Sequence, residues 1–293
     1  MKTDGCKNLF GNEENMRQID VSEITAAVAR LCVKACVDVA PDIRVHMQRG
    51  LEAESGTARQ VLADMLKNQD VATQNRLPIC QDTGMAVVFL DVGQDVHIVG
   101  DIAGAVNAGV ARGYADGYLR RSVVTDPVNR IGTGDNTPAV IHYNIVPGDR
   151  LKITVCPKGF GSENMSRLAM LVPSQGLKGI EDFVIETVRL ADANACPPIV
   201  VGVGVGGTFD YAAKMAKMAL LREIGSVHAD PAWAKVEADL LARINNMGIG
   251  PAGFGGHMTA MAVHIGAYAT HIAGLPVAVN LGCHVNRHEE EVL

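Results

Sequence analysis

The sequence predicts an α/β (α+β) fold: mixed sheets flanked by helices, with a helical section at the N-terminus. Three observations lead there. Segments with apolar residues at helical spacing alternate irregularly with short β-branched runs, unlike the regular strand–helix repeat of a doubly wound sheet. Residues 140–158 read as two strands joined at Pro147-Gly148-Asp149, a hairpin and therefore an antiparallel pair. The first 75 or so residues carry helix-type patterning. One domain spanning 1–293 is expected, with a helical section at 1–75 and a mixed-sheet body at 76–293. Apolar residues make up 48% of the chain and aromatics only 4%, so the core is built from Ala, Val, Ile, Leu and Met.

In chain order, 21–37 (VSEITAAVARLCVKACV) repeats apolar residues at helical spacing, with Ser22 suited to the N-cap. Residues 54–69 (ESGTARQVLADMLKNQ) form a second amphipathic helix. The loop RLPICQDTG follows, then strands at MAVVFLDVG and HIVG. Residues 101–120 are helical, with Asp101 at the start, and RSVVTDPVNRIGTGDNTP is a polar loop. The hairpin at 140–158 leads into a second polar loop, GFGSENMS. GLKGIEDFVIETVRLADANA is helical, PIVVGVGVGG is a buried strand, and TFDYAAKMAKMALLREIG is a helix. A helix at 231–246 and strands near 258–268 and 276–282 complete the chain.

Charge narrows the function. A net charge of −6 argues against a nucleic-acid footprint and against a polybasic membrane surface. The N-terminus lacks an apolar signal core, which predicts a cytoplasmic protein. No charged residue occurs from Ile244 to Asn286, 43 residues in all. Eight glycines, Pro251, Pro276 and four histidines interrupt that stretch, so it reads as buried sheet and loop rather than a membrane span.

Gly202, Gly204 and Gly207 spell G-x-G-x-x-G between an apolar run and a helix, the pattern of a dinucleotide-binding turn. That reading, an NAD-dependent oxidoreductase using Gly202–Gly207, needs an acid ending the next strand. Glu223 lies at the right distance but ends a helix pattern instead. Close helix-on-strand packing explains the glycines with fewer assumptions, because glycine lacks a Cβ.

Seven cysteines occur without a C-x-x-C pair. Cys32 and Cys36 lie one helical turn apart and read as core. Cys6 lies in the N-terminal tail, and Cys156 ends a strand. Cys80, Cys196 and Cys283 each sit in a loop beside Pro or Gly: LPICQDTG, NACPPIVVG and NLGCHVNRH. Separations of 116 and 87 residues suit a site assembled from three loops. Three thiolates on an iron–sulfur cube would leave one iron open, as Lewis-acid chemistry requires. Three half-buried structural cysteines are the alternative.

Together PICQDTG, PKGFGSENMS, NACPPIVVGVGVGGT and LGCHVNR resemble the α subunit of class I, iron–sulfur fumarate hydratases, a superfamily that includes L-tartrate dehydratase α subunits. The resemblance runs from about residue 20 to the end. It implies a [4Fe-4S] cluster held by Cys80, Cys196 and Cys283 and reversible hydration of fumarate to (S)-malate. It further implies a separate β subunit in an α/β hetero-oligomer, with α2β2 as one form. By the same resemblance Asp82 is a candidate proton donor to departing hydroxide, and Gln81 a hydrogen-bonding partner of substrate. Arg120 matches a carboxylate-binding arginine; Arg121 matches less securely. Gly161 offers a substrate-contacting amide, and His271, 12 residues before Cys283, matches an active-site histidine. Arg287 matches a family position without a clear role.

Bland readings stand beside these: loop capping for Asp82, a solvated helix end for Arg120, solvation for Lys158, and buried strand histidines for His257 and His264. The GFGSENMS loop leans toward fumarate, because tartrate dehydratases tend to carry a cysteine there. An L-tartrate or related hydroxy-diacid dehydratase α subunit and a non-enzymatic iron–sulfur sensor are the remaining alternatives.

Overall fold

The computed structural model describes residues 16–293, so Cys6 lies outside the described residues. The elements are β1 (Arg17–Asp20), α1 (Val21–Val37), α2 (Pro41–Ala53), α3 (Gly56–Asn75), β2 (Met85–Gly93), β3 (Val96–Val99), α4 (Ile102–Asp116), β4 (Val140–Val146), β5 (Leu151–Lys158), α5 (Phe160–Glu163), β6 (Arg167–Leu171), α6 (Gly176–Ala191), β7 (Ile199–Gly207), α7 (Phe209–Ala219), α8 (Pro231–Asn245), β8 (Ala260–Thr270), β9 (Leu275–Gly282) and β10 (Glu289–Val292). The fold is the predicted mixture of helices and mixed sheets, with a helical N-terminal section. Two compact units share the described residues: 16–34 with 85–156 and 289–293, and 35–84 with 157–288. The helical stretch before residue 75 is therefore divided between them.

In the first unit β1 and β3 pair in parallel. A four-stranded sheet runs β10–β5–β2–β4, with β2 parallel to β4 and β10 antiparallel to β5. The hairpin expected at 140–158 is absent. The turn at 147–149 is real, but β2 lies between β4 and β5. A local turn signal cannot reveal a distant strand inserted between its two arms. Helix α4 begins where predicted, because the Asp101 carboxylate accepts the Gly104 N–H at 3.0 Å. It packs closely on α1. A Cβ at Gly113 would stand 2.7 Å from the Ala29 carbonyl oxygen.

The second unit is layered around the sheet β6–β9–β7–β8, in which β7 runs parallel to β8 and antiparallel to β9. Alternation decides which face each residue serves. Val201, Val203 and Val205 of β7, with Val277, Val279 and Leu281 of β9, pack on Val184 and Val188 of α6 and Leu240 and Ile244 of α8. The opposite face receives α7. Gly202 and Gly204 lie under it: a Cβ at either would meet a backbone oxygen, Ala216 or Ala212, at 2.1 Å. The glycine pattern is thus a packing device, as its simpler reading held. Strand β7 runs parallel to β8, and α7 and α8 lie between them in the chain. Strand β8 nevertheless ends at Thr270 with no acidic residue.

Candidate active site

Three loops of the second unit meet at one end of this sheet. Strand β9 ends where β7 begins, since Val200 pairs with Gly282, so Cys196 and Cys283 lie at the same end of the sheet. The backbone joins them: the His284 N–H donates to the Cys196 carbonyl at 3.1 Å. Cys196 follows a single 3₁₀ turn (Asp192–Ala195) and takes the left-handed conformation, φ 55°. A non-glycine residue there is strained, and such strain persists where the surroundings fix it.

Cys80 arrives from the loop after α3. The Ile79 N–H donates to the Cys36 carbonyl and Asn68 Nδ2 to the Ile79 carbonyl, each at 2.9 Å. Cys80 and Cys283 both pack on the small cluster Ala72, Ile79 and Val285. All three thiols are free, with Cys80 and Cys283 half-buried and Cys196 exposed. Burial pushes the Cys196 thiol up, and the charges of Cys283, Cys80 and Asp82 push it further the same way. Cys196 therefore senses both other cysteines and the aspartate.

Asp82 is held on three sides. Its Oδ1 accepts the Gly84 N–H at 3.0 Å, the Asx turn that the capping reading foresaw. Its Oδ2 accepts the Phe160 N–H at 2.9 Å. Its carbonyl accepts from Arg287 Nη2 at 2.7 Å, which gives Arg287 a structural role. Gly159 lets these groups approach: a Cβ there would lie 3.2 Å from the Asp82 carboxylate and 3.3 Å from the Arg287 guanidinium. Gly161, in the next turn, faces the Asn194 carbonyl just ahead of Cys196. Gln81 is exposed beside Cys80, whose thiol lies 3.5 Å from Gln81 Oε1.

Lys158 is not solvated. Its side chain is 7% exposed and pairs with Glu163 at 3.3 Å. The polar network behind the loop, comprising Glu163, Lys217, Asn280 and Ser166, went unread in the sequence, where each residue looks like an ordinary surface polar group. His264 is a buried strand histidine, as expected, with Nδ1 at 3.1 Å from the Ala219 carbonyl. Its Nε2 finds no hydrogen-bond partner among the described residues.

His271 is not brought to the cysteines of its own chain. It is exposed and lines a cavity with Gly207, Thr208, Tyr211 and Tyr268, at the far end of β7. Nine strand residues separate that end from Cys196, roughly 26 Å at the usual rise. Arg120 and Arg121 belong to the first unit and are exposed.

Among the described residues no three His, Cys, Asp or Glu side chains are drawn together around a single metal ion. A cluster asks something different, because each cysteine binds its own iron. The donor set fits such a group: three thiols converge, and their thiolate charges oppose one another until a cationic centre takes them up. Among the described residues no helix is long and apolar enough to cross a membrane.

The sequence model of the family described as fumarate hydratase (Fumerase) matches residues 25–292. A "Putative L(+)-tartrate dehydratase subunit alpha" from Methanocaldococcus jannaschii is 38% identical over 273 residues, covering 90% of this chain and 95% of that protein. The L(+)-tartrate dehydratase subunit alpha of Escherichia coli O157:H7 is 32% identical over 279 residues, covering 94% of this chain and 92% of the relative. The protein of the same name from Escherichia coli K12 is 31% identical over the same span.

Proposed function

The chain belongs to the fumarate hydratase (Fumerase) family, and from that premise we propose that it is the α-type subunit of an iron–sulfur hydro-lyase acting on a four-carbon diacid. The observation that carries this reading is the convergence of Cys80, Cys196 and Cys283 near Asp82 at one end of the sheet. The three thiolates would hold a [4Fe-4S] cluster. Such a cluster, when bound, supplies a Lewis acid toward the substrate's hydroxyl and carboxylate oxygens.

The chain's own residues do the rest. Asp82, steadied by the Gly84 and Phe160 N–H groups, gives a proton to the departing hydroxide, which leaves as water. In the hydration direction it takes that proton back. Gln81 hydrogen-bonds the substrate, the Gly161 N–H contacts it, and Arg120 pairs with a carboxylate. His271 lies at the end of β7 away from Cys196, so the Asp82 step is assigned to the cysteine loops without it. The relatives are named as α subunits, which supports a separate β subunit carrying the remaining groups.

Two diacids compete as substrate. The GFGSENMS loop supports fumarate, whereas the relatives' names support L(+)-tartrate. The deciding experiment is anaerobic reconstitution with iron and sulfide, with and without the β subunit. Turnover of fumarate and L(+)-tartrate is then measured side by side. We expect a broad brown absorbance that Cys196→Ser abolishes, and turnover only in the complex. Turnover by the isolated chain would overturn the two-subunit reading. A reconstituted complex inert toward both diacids would overturn the hydro-lyase reading in favour of a sensor.

A further inference from the structure

The short turn that carries Phe160 and Gly161 has only four helical residues, too few to be rigid alone. It is nevertheless clasped from beneath. Lys158 Nζ, on one flank, donates to Ser162 Oγ at 2.8 Å and pairs with Glu163, on the other flank. Glu163 is in turn anchored to two distant elements. Its Oε1 accepts from Lys217 Nζ of α7 at 2.6 Å, and its Oε2 accepts from Asn280 Nδ2 of β9 at 2.7 Å. Asn280 Nδ2 also donates to Ser166 Oγ at 2.8 Å, which accepts the Leu281 N–H at 3.1 Å. Lys217 closes the loop by donating to Asn280 Oδ1 at 3.2 Å.

This is a costly arrangement for mere stability. Two lysines and a carboxylate are largely withdrawn from water, and a buried ion network stabilises weakly at best against an apolar replacement of the same shape. What it does provide is geometry. Lys158, Lys217 and Asn280 all reach the Glu163 carboxylate, and Glu163 sits three residues after Phe160, whose N–H reaches the Asp82 carboxylate. Neither Lys217 nor Asn280 bonds to the cysteine loops or to Asp82, so both act through the turn. Glycine frees the same α7 face: Gly202 and Gly204 let the helix sink onto β7, which brings Lys217 down to the level of Asn280.

We propose that Lys217, Asn280 and Glu163, with Lys158, are positioning residues: together they fix the Gly159–Glu163 turn and so aim the Phe160 and Gly161 N–H groups at Asp82 and the diacid. This rests on the hydro-lyase reading for its catalytic consequence but not for its structural one.

The test uses the reconstituted α–β complex and the variants Glu163→Gln, Lys217→Met, Lys217→Arg and Asn280→Asp. Lys178→Met, which removes an exposed pair on α6, serves as control. Glu163→Gln and Lys217→Met should lower kcat by about 10²-fold, the usual cost of a group displaced by about 1 Å. KM and iron content should change little, Lys217→Arg should recover most of the loss, and the control should match the parent. Hydrogen exchange gives a readout free of turnover: the Phe160 amide should exchange about tenfold faster in the first two variants once its bond to Asp82 loosens. Unchanged Phe160 exchange in Glu163→Gln and Lys217→Met would overturn the proposal. So would a loss of kcat that merely tracks the fall in Tm, with no rescue by arginine. If the parent complex turns over no diacid, the hydro-lyase reading falls, and amide exchange alone still decides the positioning role. If Glu163→Gln fails to fold, Lys217→Met and Asn280→Asp carry the same two measurements.

Discussion

His264 offers a sharp test of how the second unit is built. Its imidazole is 1% exposed on β8, with Nδ1 tied to the Ala219 carbonyl. Burial pulls its pKa down from 6.5 to about 4, and the Arg222 charge lowers it further, against weaker opposing pulls from Glu237, the Ala219 bond and Asp42. The sign follows from proton counting. Between pH 4 and 6.5 the unfolded chain binds a proton at this histidine and the folded chain does not, so acid favours unfolding. The stability is fully present above 6.5 and lost as pH falls toward 4. At pH 5, with those two values, the loss is about 2 kcal/mol relative to pH 7.5. The assay is urea unfolding of the isolated chain at both pH values, beside His264→Leu. The variant should be less stable at pH 7.5 but should lose about 2 kcal/mol less than the parent on acidification. Equal slopes in parent and variant would refute the reasoning, because they would mean that His264 is already charged or solvent-reached in the folded protein.

Other consequences are as direct. Gly204→Ala should destabilise by about 1–3 kcal/mol, seen as a lower urea midpoint, because its Cβ meets the Ala212 carbonyl oxygen at 2.1 Å and α7 must move. Arg222→Met should cost about 3–5 kcal/mol in the same assay, since it strands the buried Glu237 carboxylate now 2.5 Å from the guanidinium. Burial raises the Glu163 carboxyl, but Lys158, Lys217 and Asn280 together hold it below its ordinary 4.5. Its contribution is therefore present above pH 4.5 and disappears as the pH drops further, so Glu163→Gln should flatten the stability profile below that pH and leave the His264 window untouched. Cys283→Ser should remove the brown absorbance of the reconstituted protein while leaving far-ultraviolet circular dichroism intact, because the half-buried thiol carries little of the core.

Much of the fold could be read directly. Helices at 21–37, 176–191 and 231–245 and strands at 85–93 and 199–207 follow from apolar spacing, and Asp101 marks a helix start that its side chain does cap. The helix at 41–53 was missed, although Pro41 suits its first position. Strand β6 went unread behind a loop rich in Ser and Asn, and β10 in a run of glutamates, since each depends on its partner strand rather than on its own propensity.

The sequence by itself settled which residues are chemically equipped: three cysteines beside Pro or Gly, an aspartate two positions after the first, and glycines where backbone must approach backbone. Those are local facts, set by residue type and immediate neighbours. Only the tertiary structure decided what meets what. It joined Cys196 to Cys283 through the β7–β9 register, put His271 at the other end of the same sheet, and turned Lys158 from a surface charge into a buried clasp. It also made Gly202 and Gly204 a seat for α7 rather than a cradle for phosphate. Such pairings join residues from 5 to 87 positions apart. They are fixed by how sheet faces and helices pack, which short-range periodicity does not encode.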